Sequence, residues 1–248
     1  MPTPRHGFPD YGQTAGQSVV YPLLDVGEAA ARLGSIVTYD RRGDVVWFDD
    51  FEHSLRKWES TLGGLGARAD ISLAIQRHGD FSVLLCSGAT DPFFSQIGTR
   101  VYLPGLTRCG FEASFAIANL TDRVTLTLVI YTGSRVLWGA VQWAINGQLH
   151  QYLDADGVWQ TLAINQVPYV GSHAFHTMKL VIDPDSEEYT RILIDGAVYE
   201  PATPGVIAAD NSTPAQINPF ITNIGFTPMT RYVYVDDVII TQNEPAKP

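Results

Sequence analysis

VVWFDDFE at Val45–Glu52 and YVYVDDVIIT at Tyr232–Thr241 decide the fold. Each is rich in β-branched and aromatic residues, the composition of a pleated, half-buried strand. They stand near opposite ends of a 248-residue chain. Pairing them with each other closes everything between into one unit and brings Asp49, Asp50, Asp236 and Asp237 close together. Between them the hydrophobic period is 2. RVTLTLVIY (Arg123–Tyr131) puts Val124, Leu126, Leu128 and Ile130 on one side and Thr125 and Thr127 on the other. FEASFAIAN (Phe111–Asn119) turns Phe111, Ala113, Phe115 and Ile117 inward, and HTMKLVID (His176–Asp183) alternates His176, Met178, Leu180 and Ile182 against Thr177, Lys179 and Val181.

ISLAIQR (Ile71–Arg77), FSVLLCS (Phe81–Ser87), RVLWGAVQWAI (Arg135–Ile145), GVWQTLAI (Gly157–Ile164), YTRILID (Tyr189–Asp195) and FITNIGF (Phe220–Phe226) fit the same pattern. Turn signals separate these runs, with Asn146-Gly147 predicting a type I′ hairpin. Many short strands at hairpin spacing, with no helix between them, specify an all-β antiparallel β-sandwich of the jelly-roll type.

The sandwich spans residues 44–242. Ahead of it, residues 1–43 read as an extended arm with one short helix at 26–33, where Asp25 is the N-cap, Glu28 completes a capping box and Gly34 stops the helix. Two turns of helix are marginal in water alone, so this one must dock. Pro201–Pro219 reads as a long surface loop and 243–248 as a frayed tail.

The net charge of −10 argues against nucleic acid, and the longest basic cluster is Arg41-Arg42. No apolar run is long enough to span a membrane, and the opening MPTPRHGFPDYGQTAGQ lacks a secretory h-region, so the expectation is cytoplasmic synthesis without a signal peptide. Cys86 and Cys109 lie in or beside apolar runs; two buried thiols or one disulfide both fit.

Three features together resemble the concanavalin A-like, or laminin-G-like, jelly roll: an opening strand ending in Asp49-Asp50-Phe51-Glu52 and followed by Trp58; the hairpin FHTMKLVID with YTRILIDGAVYE (Phe175–Asp183 and Tyr189–Glu200); and a closing strand with Asp236-Asp237-Val238. The arm, the Ala-rich helix and GSIVTYDRRGDVVWFDDFE also resemble the openings of uncharacterised structural proteins of bacterial viruses.

Glycan hydrolases of that fold align two or three carboxylates on one strand, because acid and nucleophile must face the same bond. No stretch of this sequence carries that alternation, and GQLHQY (Gly147–Tyr152) is only a faint echo of the lyase pattern. His173 and His176 lack a completing ligand. Asp49, Asp50, Asp236 and Asp237 either hold a structural calcium, as the resemblance implies, or pair with arginines and cap turns. Trp138 and Trp143, five apart in one strand, should face opposite ways, one into the core; the other, with Tyr131, Tyr152 or Trp159, either forms a stacking platform for sugar rings or completes the core and rim of the sandwich.

Three functions remain. The first is a non-enzymatic structural module of a virion (capsid decoration or tail), docked through its arm as a homo-oligomer or on other virion proteins. The second is a lectin-like glycan-binding module. The third is a glycan-active hydrolase or lyase.

Overall fold

The structure, a computed structural model, describes residues 42–246 apart from 104, 172, 173, 227 and 228. The expected arm and its helix at 26–33 therefore lie outside the described residues. Seventeen strands follow in chain order: β1 (Asp44–Asp49), β2 (Glu59–Gly63), β3 (Arg68–Ser72), β4 (Ser82–Cys86), β5 (Phe94–Gly98), β6 (Val101–Tyr102), β7 (Cys109–Ile117), β8 (Arg123–Tyr131) and β9 (Arg135–Ala144). Then come β10 (Leu149–Leu153), β11 (Trp159–Ala163), β12 (Phe175–Asp183), β13 (Glu188–Ile194), β14 (Ala197–Tyr199), β15 (Ile207–Asp210), β16 (Gln216–Ile224) and β17 (Tyr232–Gln242).

They form two antiparallel sheets. The eight-stranded sheet runs β14-β13-β12-β7-β17-β4-β3, with β1 also on β17. The nine-stranded sheet runs β11-β10-β9-β8-β16-β5-β2, with β15 on β9 and β6 on β16. The alternation read from the sequence is the packing between them. Phe111, Phe115, Leu126, Leu128, Leu180 and Val235 meet in one core at zero exposure.

The expected closure is present. β1 pairs antiparallel with β17, from Asp44 opposite Gln242 to Asp49 opposite Val238. β4 holds the other half of the same edge, opposite Tyr232–Val235. Asp236 and Asp237 fall at the seam between β4 and β1, where the ladder to β7 bulges and Asp237 adopts φ +50°. A bulge re-aims side chains, and here it turns both carboxylates into the molecule, fully buried.

Four local readings need correction. Ile71–Arg77 is not one strand: β3 ends at Ser72, and the chain turns because the Asp236 carboxylate takes the backbone N–H groups of Arg77 (2.8 Å) and His78 (3.3 Å). The Asn146-Gly147 hairpin is a four-residue turn with its left-handed residue at Gln148 (φ +52°), not at the glycine. The Pro201–Pro219 loop contains β15 and the start of β16. Pro219 lies level with the break between β5 and β6, where a missing N–H costs the sheet least.

Residues 243–246 of the tail are also anchored rather than frayed. Glu244 is fully buried on the outward face of the eight-stranded sheet, hydrogen-bonded by Thr241 and Arg191 and 2.7 Å from Lys179 Nζ. Arg108 Nε donates to the Glu244 carbonyl at 2.6 Å, and an Arg191 nitrogen donates to the Pro245 carbonyl at 3.3 Å. Cys86 and Cys109 are buried free thiols, and burial pushes Cys109 up to about 12, which leaves it inert at neutral pH.

Candidate functional site

The two sheets turn very different faces outward. On the nine-stranded sheet, strict register lines up one polar row. Thr161 of β11 lies opposite Gln151, which faces Gln142, and Gln142 faces Thr125. Thr125 faces Thr222, Thr222 faces Gln96, and Gln96 faces Thr61 at the far edge. Part of the row is hydrogen-bonded along its length. Thr125 Oγ1 donates to Gln142 Oε1 at 3.4 Å, and Gln142 Nε2 donates to Gln151 Oε1 at 2.8 Å. Gln142 (2% exposed) and Thr125 (7%) are covered and reach no ligand themselves; they orient the half-buried Gln151, which is open to one.

Flat aromatic rings flank this row. A Cβ on Gly98 would lie 2.3 Å from the Phe220 ring, and one on Gly63 would lie 2.3 Å from the Phe94 ring. Both phenyl rings therefore rest on bare backbone and are half-buried. Trp138 and Trp159 stand on the same face by alternation, Trp138 at 49% exposure.

The paired aspartates have protein partners. Asp49 accepts from Trp58 Nε1 at 2.9 Å and Lys57 Nζ at 3.3 Å, and Asp50 accepts the Glu52 N–H. Asp236 accepts from Arg77, His78 and Asp237 backbone N–H groups. Asp237 meets His78 Nδ1 at 2.7 Å and Arg77 at 3.7 Å, while its Oδ1 is buried without a hydrogen bond among the described residues. Burial, with the adjacent Asp237 charge, pushes Asp236 up to about 7.

Between the sheets at the other end, Trp143 packs edge-on against both His150 (4.5 Å) and His176 (4.7 Å). Burial pushes His150 down to about 4. Burial also opposes charge on His176, but Asp195, 2.7 Å from its Nδ1, outweighs this and holds it above the usual imidazole range.

No protein-family model and no curated protein matches the chain. Solved structures do match. The cellulose-induced protein Cip1 superposes with TM-score 0.50 at 13% identity, over 81% of this chain and 99% of that one. A carbohydrate esterase of Shiga toxin-encoding bacteriophage phi24B gives 0.52 at 12%, over 82% and 100%. An endo-β-1,4-glucuronan lyase from Trichoderma reesei gives 0.50 at 12%, over 81% and 96%. The fold is the concanavalin A-like jelly roll. Identities this low carry the likeness of fold alone.

Within this jelly roll the expected site residues separate. Trp138 and Trp143 do face opposite ways, but Trp143 (3% exposed) and Tyr152 (2%) belong to the core, so neither can stack a sugar. Trp143 Nε1 donates to the Gln166 carbonyl, and the Tyr152 hydroxyl bonds Thr203. Trp138 and Trp159 keep an outward placement. The four aspartates lie along one seam yet form separate hydrogen-bond sets, and among the described residues no group of three or more His, Cys, Asp and Glu side chains is placed to hold a metal ion. The aspartates' side-chain partners include Lys57, Arg77 and His78. The polar row is not legible in the sequence. Thr125 and Thr127 read correctly as an outward face, but alignment with Gln142, Thr222 and Gln96 depends on register between strands far apart in the chain.

Proposed function

We propose that this jelly roll is a non-catalytic glycan-binding module whose site is the outward face of the nine-stranded sheet. The observation that carries this is the row Thr161–Gln151–Gln142–Thr125–Thr222–Gln96–Thr61, with aromatic rings beside it. Six strand spacings make it about 29 Å long at roughly 4.8 Å each, which suits a chain of sugars rather than one. Oriented amides and hydroxyls beside apolar ring faces match a sugar's alternation of hydroxyls and C–H patches. Hydrolysis of a glycosidic bond uses two carboxylates flanking it. The acid on this face is Glu59, the first residue of an edge strand, bound to Arg100 at 3.3 Å.

Affinity electrophoresis through polysaccharide gels tests the reading. The protein should be retarded on at least one gel, and Gln151→Ala, in a variant that keeps its melting temperature, should weaken the retardation. Normal mobility on every gel would exclude a glycan site.

A second reading is an assembly module of a virion, docked through its N-terminal arm. It rests on the resemblance of the arm, the Ala-rich helix and GSIVTYDRRGDVVWFDDFE to the openings of structural proteins of bacterial viruses. Its test is solution mass: an oligomer that dissociates when residues 1–43 are removed supports it, and a monomeric full-length chain sinks it.

A further inference from the structure

We infer that the ligand is a neutral glycan, and that Trp138, Val129 and Asn218 form the subsite that grips one of its sugar rings. The inference rests on the glycan-binding reading and names the class of sugar that reading leaves open.

Charge accounting comes first. The chain carries 26 acids against 16 lysines and arginines. Alternation along β2, β5, β8, β9, β10, β11, β15 and β16 assigns the outward positions of the nine-stranded sheet, and the charged ones are Arg123 and Glu59. Each is the first residue of its strand, and each is engaged, Arg123 with Asp122 at 3.0 Å and Glu59 with Arg100 at 3.3 Å. The rest of the face is Gln, Thr, Asn, aromatic and small apolar residues. A uronate or sulfated glycan is held by arginine or lysine clamps, and the one arginine that alternation places on this face, Arg123, is already engaged by Asp122. The chain's net charge of −10 would also repel such a polyanion at a distance. A neutral glycan needs no such clamp.

The subsite follows from register. Trp138 of β9 lies opposite Val129 of β8, and Val129 lies opposite Asn218 of β16. The tryptophan is 49% exposed, while Val129 (7%) and Asn218 (9%) form a floor beside it. Ile207 of β15 flanks the indole on its other side. An exposed indole beside a low apolar floor is a stacking step for a sugar ring. Asn218 supplies direction: its Oδ1 is buried with no hydrogen-bond partner among the described residues. A buried carbonyl oxygen without a donor is destabilising, and rotation about the broad χ2 torsion of asparagine brings it toward a ligand. It accepts and cannot donate. A sugar hydroxyl, present on neutral and acidic sugars alike, satisfies it, so the discrimination against polyanions rests on the charge of the face.

The test uses the full-length chain with five soluble polymers: hydroxyethyl cellulose, mixed-linkage β-glucan and galactomannan as neutral probes, polygalacturonate and alginate as anionic ones. Affinity is read by gel retardation and titration calorimetry. At least one neutral polymer should bind, with neither anionic polymer bound. Trp138→Ala and Asn218→Leu should each weaken that binding about tenfold or more, and Trp138→Phe should restore part of it. Each variant's melting temperature separates lost binding from lost folding. Trp138-dependent binding of polygalacturonate or alginate would overturn the neutral assignment while leaving the glycan site standing. Neutral binding insensitive to Trp138→Ala, in a folded variant, would overturn the subsite. Binding to none of the five would overturn the glycan reading itself.

Discussion

Asp236 and His150 are both buried and titrate in opposite senses. Asp236 is held near 7 by burial and by Asp237, against an ordinary carboxyl value of 3.8. Its folded pKa is raised, so its contribution to stability is complete below about pH 4 and is lost as pH rises through about 7. His150 is held near 4 against an ordinary 6.5. As pH falls below 6.5 the unfolded chain takes up that proton first, so this contribution is complete above 6.5 and lost toward pH 4. Asp236→Asn should lower stability at pH 4.5 and 6, because the amide keeps one acceptor oxygen where the carboxyl offers two, one to Arg77 and His78 and the other to Asp237. It should also remove the decline between pH 4 and 7. His150→Phe should remove the acid-side loss instead. Urea denaturation at pH 4.5, 6 and 7.5 reads both slopes, and unchanged slopes would refute the assignments.

At the scale of strands, β5 and β16 are joined by a ring lying on a glycine. Because a Cβ on Gly98 would sit 2.3 Å from the Phe220 ring, Gly98→Ala must displace that ring. Overpacking of this kind typically costs about 1–3 kcal/mol, and here it should also weaken glycan binding by moving a flanking ring. Calorimetry of the variant reads both effects, and unaltered melting and affinity would show that the ring is free to move. Neither the ring nor the polar row was legible in the sequence, although the strands that carry them were. Alternation located β7, β8, β9 and β12 and paired β1 with β17, since period and composition are local properties. Which residue lies opposite which is a long-range property. It separated the buried Trp143 from the outward Trp138 by simple parity, yet left Gln142 and Thr222 unconnected. The same limit hid Glu244: nothing in NEPAKP shows that a carboxylate there meets Lys179 and Arg191.

Over the whole molecule, the two outward faces have opposite characters. The eight-stranded sheet buries Glu112, Lys179 and Arg191 under a tail pinned by Glu244. The nine-stranded sheet is nearly free of charge. Stability and binding should therefore come apart under the same perturbations. Glu244→Ala strips a fully buried carboxylate from two buried cations, a change that typically costs about 3–5 kcal/mol. It should lower the melting temperature and leave the affinity for a neutral glycan unaltered. Trp138→Ala removes a half-exposed side chain and should do the reverse. Salt gives an independent check. Raising sodium chloride from about 0.05 to 0.5 M cuts the Debye length from roughly 14 to 4 Å, which weakens any contact carried by exposed charge. Binding through oriented amides and ring faces should change by less than about twofold over that range. A salt-dependent affinity, or one that falls with Glu244→Ala, would mean that the ligand sits on the charged sheet and that the nine-stranded face has been given the wrong role.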